Sequence, residues 1–523
     1  MLHQFPLYLV LIVFMMLLIM LAQKIKIAYP IVLVIGGLLL SLSPSVPDIH
    51  IDHELIFIIF LPPLLYEAAW YTSWKEFWRW RRVISSFAFL IVIVTSLVVA
   101  WVASSFIPGF TLALGFLLGG IVSPPDAVSA SAILKYVKVP KRMKAIIEGE
   151  SLLNDASSLI VFRFALIAVD TGRFVFHEAA LSFFWVIITG IAIGLLVGYI
   201  FYLTHKWLPT DVNMDIVLTL IAPYAMYLAA ESIHVSGVLA VVSGGLFLSA
   251  RQHEILTNTS RLRSSTVWSS LGFVLNGLVF ILIGLQLPMI VYGLGTVSLK
   301  EAIGYGVLIT AVLMVARILS TFGSAAFTVF ASKFITTAEN HPGWKGPLLF
   351  GWAGMRGVVS LAAAMSIPSL LDNGNPFPQR DLILFITFVV ILLTLLVQGL
   401  TLPLMIHWLK LPDRDAHISK EEEDKRIKNL LAKESLDYLK NNFPEESATY
   451  PQLQQMTEHF ECQNAEQSVD EEMSATCKNV YLKLMNKQRE WLHEWNKDIT
   501  TDEDLIRKHL LLLDLEEEKL KHA

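Results

Sequence analysis

The sequence predicts an all-α, polytopic membrane protein of about thirteen transmembrane helices followed by a helical tail, and three observations carry that reading. Hydrophobic residues make up 54% of the chain and charged residues only 16%, where soluble domains carry roughly 25% charged. Mean hydropathy is +0.58. Apolar runs suited to a ~30 Å hydrocarbon core, about 20 residues each, recur from one end of residues 5–408 to the other. Charge is also divided unevenly: residues 1–412 carry a net +5 and residues 413–523 a net −10. We therefore expect a transmembrane domain over 1–412 and a cytoplasmic, helical, acidic tail over 413–523, meeting at Pro412-Asp413-Arg414-Asp415.

The spans are expected near 5–23, 29–43, 54–72, 83–106, 110–136, 145–169, 180–204, 213–231, 235–251, 267–291, 299–331, 346–371 and 380–408. The second and ninth are short. The first run, Phe5 to Leu21, lacks a basic leader and is followed by Lys24 and Lys26 rather than a small-residue cleavage site, so it reads as a retained helix. Basic residues set the orientation, because Lys and Arg accumulate in cytoplasmic loops. Alternate loops hold Lys24, Lys75, Arg81, Lys141, Lys144, Lys206, Arg261 and Lys345 among others, whereas the opposite loops hold only Arg173, Lys300 and Arg380. The N-terminus is expected outside and the tail in the cytoplasm of a plasma-membrane protein.

Charges inside such segments are costly, roughly 2.5–3.5 kcal/mol each at bilayer depth, and mark partners or substrate paths. The densest run is Glu148-Gly-Glu150-Ser151-Leu-Leu-Asn154-Asp155 in the sixth span. Helical geometry puts Ser151 and Asp155 on one face and Glu150 and Asn154 on an adjacent one. Ser151 and Asp155 are then candidate oxygen ligands for a bare cation, and Glu150 a candidate partner for a buried arginine. Arg163, two turns beyond Asp155, is a candidate modulator of its pKa.

The fifth span contains Ser123-Pro124-Pro125-Asp126, whose prolines predict a break at mid-membrane, with Asp126 starting the second half. The twelfth has a glycine-interrupted counterpart, Gly351-Trp-Ala-Gly354-Met-Arg356-Gly357. Interrupted spans in the two halves point to an inverted-repeat transporter with its site at the midplane. The third span, with Pro62, Pro63 and Glu67, reads as a further proline-disturbed helix, and Glu67 as a candidate site carboxylate. Arg317, Asn276, Gln286 and Gln398 are single polar residues in apolar runs and are read as satisfying neighbouring backbone.

These segments together resemble the monovalent cation:proton antiporter-1 family, which includes NhaP-type bacterial antiporters and animal sodium/proton exchangers. The carriers are Leu61-Pro-Pro-Leu-Leu-Tyr-Glu67, Pro125-Asp126-Ala-Val, Gly149-Glu150-Ser151-Leu-Leu-Asn154-Asp155 and Gly354-Met-Arg356-Gly357. The resemblance implies a homodimer with a dimerisation domain and a moving core, and two crossing broken helices. It implies that Asp155 binds cation or proton, that Ser151 is an adjacent ligand, that Asn154 stabilises the crossing, and that Glu150 and Arg356 form a structural ion pair. Many relatives have Thr-Asp-Pro where this chain has Pro125-Asp126-Ala127, which leaves backbone carbonyls or Ser123 to replace the threonine hydroxyl.

A single carboxylate that holds either a proton or a cation makes binding competitive, and with Asn154 neutral beside it the simplest exchange is 1:1 and electroneutral. Sodium is the expected cation, lithium and potassium the alternatives, and a cation channel the rival class. No cofactor, nucleotide loop, metal cluster or nucleic-acid partner is implied, and an enzymatic role is not expected. Two cysteines, Cys462 and Cys477, both in the tail, are expected to be reduced. The tail shows a capping box at Ser419-Lys-Glu-Glu422 and apolar residues Ile427, Leu430, Leu431 and Tyr438 at helical spacing, with a second amphipathic run to Leu513. Its partner is unread.

Overall fold

The computed structural model describes residues 5–42, 53–134, 137, 139–172, 176–294, 297–331, 333, 343–410, 420–465, 475–498 and 501–522. The predicted boundary at Pro412 to Asp415 and the Ser419 cap lie outside these residues, as do the side chains of Cys462 and Cys477. By contacts the chain divides into two units, Met1–Ile255 with Ser264–Asp413, and Leu256–Arg263 with Arg414–Ala523.

The first unit opens with α1 (Phe5–Ile25), α2 (Tyr29–Ser41), α3 (His53–Tyr71) and α4 (Trp74–Ser85), which runs through a π-helical turn at Ser86–Ile91 into α5 (Val92–Phe106). Two half-helices follow, α6 (Leu112–Val122) and α7 (Ala127–Leu134), then α8 (Lys141–Thr171), α9 (Phe176–Trp207), α10 (Val212–Glu231), α11 (Gly237–Ala250) and the short α12 (Gln252–Ile255). Next come α13 (Asn258–Leu285), whose residues up to Arg263 belong to the second unit, α14 (Leu287–Gly293), α15 (Leu299–Ala331) and a second pair of half-helices, α16 (Lys345–Trp352) and α17 (Val358–Met365). The last span is α18 (Arg380–Leu393), a π-helical turn at Thr394–Gln398, and α19 (Gly399–Leu409). Among the described residues the predicted apolar runs each overlap a helix or consecutive helices. Among the described residues seven helices are long and apolar enough to cross a membrane, and four shorter apolar helices accompany them.

The two breaks sit in similar surroundings. In the first half α6 packs between α5 and α8; in the second, α15 flanks α16 and α18 flanks α17. Close approach of α6 to α5 needs Gly115 and Gly119, four residues apart, because a Cβ at either would strike the backbone of Ala100 or Ser96. This is the small-residue contact that lets helices pack where lipid supplies no hydrophobic drive.

Two local expectations change. The fourth span begins at Trp74 rather than near residue 83, because α4 is amphipathic: Ser73 caps it by accepting from the Glu76 amide at 3.3 Å, Trp80 and Ile84 are buried, and Trp74 and Trp78 are exposed. The third span continues unbroken through Pro62 and Pro63. Pro63 has no N–H for the carbonyl of Ile59, a loss that costs about 3 kcal/mol in a helix interior. That carbonyl instead accepts from the Tyr224 hydroxyl of α10 at 3.2 Å. A neighbouring helix supplies the donor that the proline removed.

The second unit contains α20 (Lys420–Asn442), α21 (Pro444–Thr449), α22 (Pro451–Ala465), α23 (Ala475–Trp495) and α24 (Glu503–His522). One of its cores joins Ile427 and Leu431 to Met485, Leu492, Leu505, Ile506, Leu510 and Leu513; another joins Leu439, Leu453, Met456, Phe460 and Leu484. Leu511 and Leu512, between buried neighbours, are exposed, as a helical face requires. Asp514, 3% exposed, accepts from both Arg261 and Arg489 at 3.0 Å.

If the Tyr224 hydroxyl replaces the donor missing at Pro63, Tyr224→Phe should lower thermal stability of the detergent-purified protein by about 1 kcal/mol. The same substitution in a Pro63→Ala background should cost much less. Equal losses in both backgrounds would refute the assignment.

Candidate ion-binding site

The polar faces of α8 turn towards different neighbours. Ser151 and Asp155 line a cavity of about 330 Å³, together with Asp126, Glu67, Glu148 and Asn276. Glu150 and Asn154, on the adjacent face, point into protein and are 1% and 0% exposed. The sixth span therefore separates a cavity-lining pair from a pair buried against protein.

Asn154, one of the buried pair, ties into the crossing of the two broken helices. Because Pro124 and Pro125 interrupt α6 and α7, the Asp126 amide is withdrawn from the helix ladder and donates instead to the Met355 carbonyl of the second break, at 2.7 Å. The Val122 carbonyl, which that amide would have served in an intact helix, accepts from Arg356 Nε at 2.7 Å, and the Ser123 carbonyl accepts from Arg356 Nη2 at 3.1 Å. Each break thus satisfies the other. Arg356 also donates through Nη1 to the Gly354 carbonyl, and its own amide donates to Thr394 Oγ1 at 3.2 Å, in the π-helical turn of the last span. Asn154 Nδ2 donates to the Pro125 carbonyl at 3.0 Å, tying α8 to the first break.

Glycines at intervals of three explain the second break. A Cβ on Gly351 would meet Ile318 and Thr321, one on Gly354 would meet the Arg317 side chain, and one on Gly357 would overlap the Asp126 carboxyl group. The interrupted segment is thus glycine-rich because neighbouring residues approach it closely at all three positions.

The carboxylates are not equivalent. Asp126 caps α7, accepting from the Val128 amide at 3.0 Å, the Ser129 amide at 3.2 Å and the Ser129 hydroxyl at 2.6 Å. Glu150 accepts from Arg317 Nη2 at 2.8 and 3.0 Å, both side chains being 2% exposed. Glu67 lies against Gly272, where any side chain would displace it. Asp155 is 6% exposed, and among the described residues no side chain donates to its carboxylate.

Residues 10–408 match the family described as sodium/hydrogen exchanger, transmembrane. The chain belongs to that family. It is 34% identical over 430 residues to a sodium, potassium, lithium and rubidium/H⁺ antiporter of Bacillus pumilus, covering 80% of this chain and 63% of that protein. Against the protein of the same name from Bacillus subtilis it is 36% identical over 387 residues, 72% of this chain and 57% of that one. The match therefore spans less than two thirds of these relatives' lengths. An uncharacterized Na⁺/H⁺ exchanger of Mycobacterium bovis is 31% identical over 518 residues, 96% of this chain and 93% of that one. Among solved structures, the sodium proton antiporter MjNhaP1 of Methanocaldococcus jannaschii at pH 8 superposes with a TM-score of 0.58 at 19% identity, over 76% of this chain and 97% of that one. The exchanger fold is thus shared.

Within that fold the arginines differ from the sequence reading. Glu150 pairs with Arg317, not with Arg356, whose guanidinium is taken up by carbonyls at the end of α6. The negative end of a broken half-helix attracts a cation as a carboxylate does. Arg163 is exposed and donates to the His234 carbonyl at 3.0 Å, and it is not among the cavity-lining residues. The Ser123 hydroxyl, offered as a replacement ligand, accepts from Ser96 at 3.0 Å and is fully buried. Arg317 and Asn276 do more than satisfy neighbouring backbone: the first pairs with Glu150 and the second lines the cavity. The signal for Arg317 was present: a lone cation deep in an apolar span demands a partner as strongly as a lone carboxylate does.

If the Glu150–Arg317 pair is structural, Glu150→Leu or Arg317→Leu alone should destabilise by about 3–5 kcal/mol, by leaving one buried charge unmatched, and the double substitution should recover most of the loss. Melting temperatures of the four forms in detergent decide this. A double variant no better than the worse single one would contradict it.

Proposed function

We propose that the protein is a secondary active antiporter that exchanges a monovalent cation, sodium foremost, for protons by alternating access, with no enzymatic activity. One observation carries this reading: at the crossing of the broken helices, Asp155 faces the cavity while the other carboxylates of the crossing are engaged by their own donors. A carboxylate in that position holds a proton or a cation, not both. Ser151, one helical turn earlier on the same wall, supplies a neutral oxygen, and Glu67 a second carboxylate from α3. Hard oxygen donors suit a hard cation that has shed part of its water. Asn154 is neutral and occupied at Pro125, so one charge moves each way and exchange is electroneutral.

The orientation follows the basic loops, with the tail cytoplasmic and the chain in the plasma membrane; the family resemblance supports a homodimer. We read residues 1–412 as the transport domain and 413–523 as a tail domain. The names of the Bacillus relatives include potassium, which is why potassium stands as the alternative cation.

Proteoliposomes loaded with a pH dye and titrated with NaCl, LiCl and KCl should show saturable, cation-driven proton efflux, sodium giving the lowest KM. Asp155→Asn should abolish it. Ordinary cation-driven proton flux in Asp155→Asn vesicles would overturn the reading, and a conductance without counter-moving protons would replace it with a channel.

The competition also fixes the sign of the pH effect. Protons fill the shared carboxylate as pH falls, so the apparent KM for the cation should rise towards acid, by up to ~10-fold per pH unit where the protonated form predominates. A KM that stays constant over three pH units would rule out a shared site.

A further inference from the structure

The cavity continues beyond the crossing. Along α8, Glu148, Ser151 and Asp155 stand at i, i+3 and i+7, on one helical face, and all three line the cavity. Glu148 is about 10 Å from Asp155 along the helix axis, at a rise of ~1.5 Å per residue, on the side where α8 begins with Lys141, Arg142 and Lys144. Its Oε1 accepts from the Ser131 hydroxyl of α7 at 3.2 Å and lies 3.7 Å from Lys144 Nζ. Lys144 lines the same cavity, and its side chain is 60% exposed against 31% for Glu148.

This arrangement does not serve the crossing, whose polar groups are matched by Arg317, Arg356 and Asn154. Nor does burial demand the pair, since both side chains reach water. What it provides is a carboxylate on the wall between bulk water and Asp155, with a tethered ammonium beside it. The helix start is otherwise strongly basic and repels an arriving cation, so a local negative charge on the wall has an evident use.

We propose that Glu148 is an outer cation station on the access path to Asp155, and that Lys144 is its resident competitor. A monovalent cation entering from the side of Lys141–Lys144 meets Glu148 first and displaces the Lys144 ammonium, with Ser131 supplying a neutral oxygen at the same point. It then passes Ser151 to Asp155. The pair sets how readily the cation is captured from that side and leaves the exchange step at Asp155 unchanged. This rests on the antiport reading above.

The test is the cation dependence of exchange in oriented vesicles that present the Lys144 side to the medium. Glu148→Gln should raise the KM for the transported cation about 2- to 5-fold, the scale of a partly exposed ion interaction, with the maximal rate within about 2-fold of the parent. Lys144→Gln should lower KM by a similar factor, and Glu148→Asp should keep KM near the parent value. Raising ionic strength with N-methylglucamine chloride should shrink both effects, as screening requires. The opposite signs are what a merely structural pair would not produce, and the Lys144→Gln arm reads out even where Glu148→Gln folds poorly. Unchanged KM in Lys144→Gln, or KM shifts of the same sign in Lys144→Gln and Glu148→Gln, overturn the proposal. Asp155→Asn is run alongside. If it stays active, the antiport reading fails; if it is silent while Lys144→Gln matches the parent, only the outer station fails.

Discussion

The constraint on which the rest of this structure depends is that backbone freed inside a membrane must be satisfied by protein. Two spans are interrupted at their middles, and each interruption leaves amides and carbonyls that lipid cannot serve. The chain resolves this by crossing the breaks. The Asp126 amide goes to Met355, Arg356 goes to the carbonyls of Val122 and Ser123, and Asn154 goes to Pro125. These backbone groups, freed at the breaks, are thereby committed to protein partners. Asp155 lines the cavity, and among the described residues no side chain donates to its carboxylate.

α8 links this framework to the cavity. One of its faces is structural, carrying Glu150 to Arg317 and Asn154 to the first break; the next carries Glu148, Ser151 and Asp155 along the cavity wall. Shifting the helix by one residue would turn Glu150 and Asn154 to the cavity and leave Gly149 and Leu153 in their buried places, so its register is held from both sides. π-helical turns in two other spans reach the same framework. The π-helical turn at Ser86–Ile91 presents the Ala88 carbonyl to Ser157 of α8 at 2.5 Å, and the turn at Thr394–Gln398 presents Thr394 to the Arg356 amide. Both irregular turns lie beside the crossing, where extra backbone valence is needed.

Much of this was legible in the sequence. Hydropathy located the spans because lipid imposes a length and a composition on every helix that crosses it. The double proline marked the first break, the glycine-rich run the second, and i to i+4 arithmetic separated Ser151 and Asp155 from Glu150 and Asn154. Proline in α3 misled, since Pro63 suggests an interruption while Tyr224, 161 positions away in sequence and on another helix, repairs it.

What the sequence by itself determined is therefore whatever depends on composition and local period: an all-helical membrane domain, its breaks, an acidic helical tail, and the polar run of the sixth span. Tertiary structure decided the partners. Glu150 had two buried arginines to choose from, and only the folded chain shows Arg317 reaching it past Gly354 while Arg356 serves the end of α6. The physical reason is that burial makes a charge demand compensation without specifying its form. A carboxylate, the negative end of a half-helix or a row of carbonyls will each do, and which of them is within 3 Å is a property of the packing.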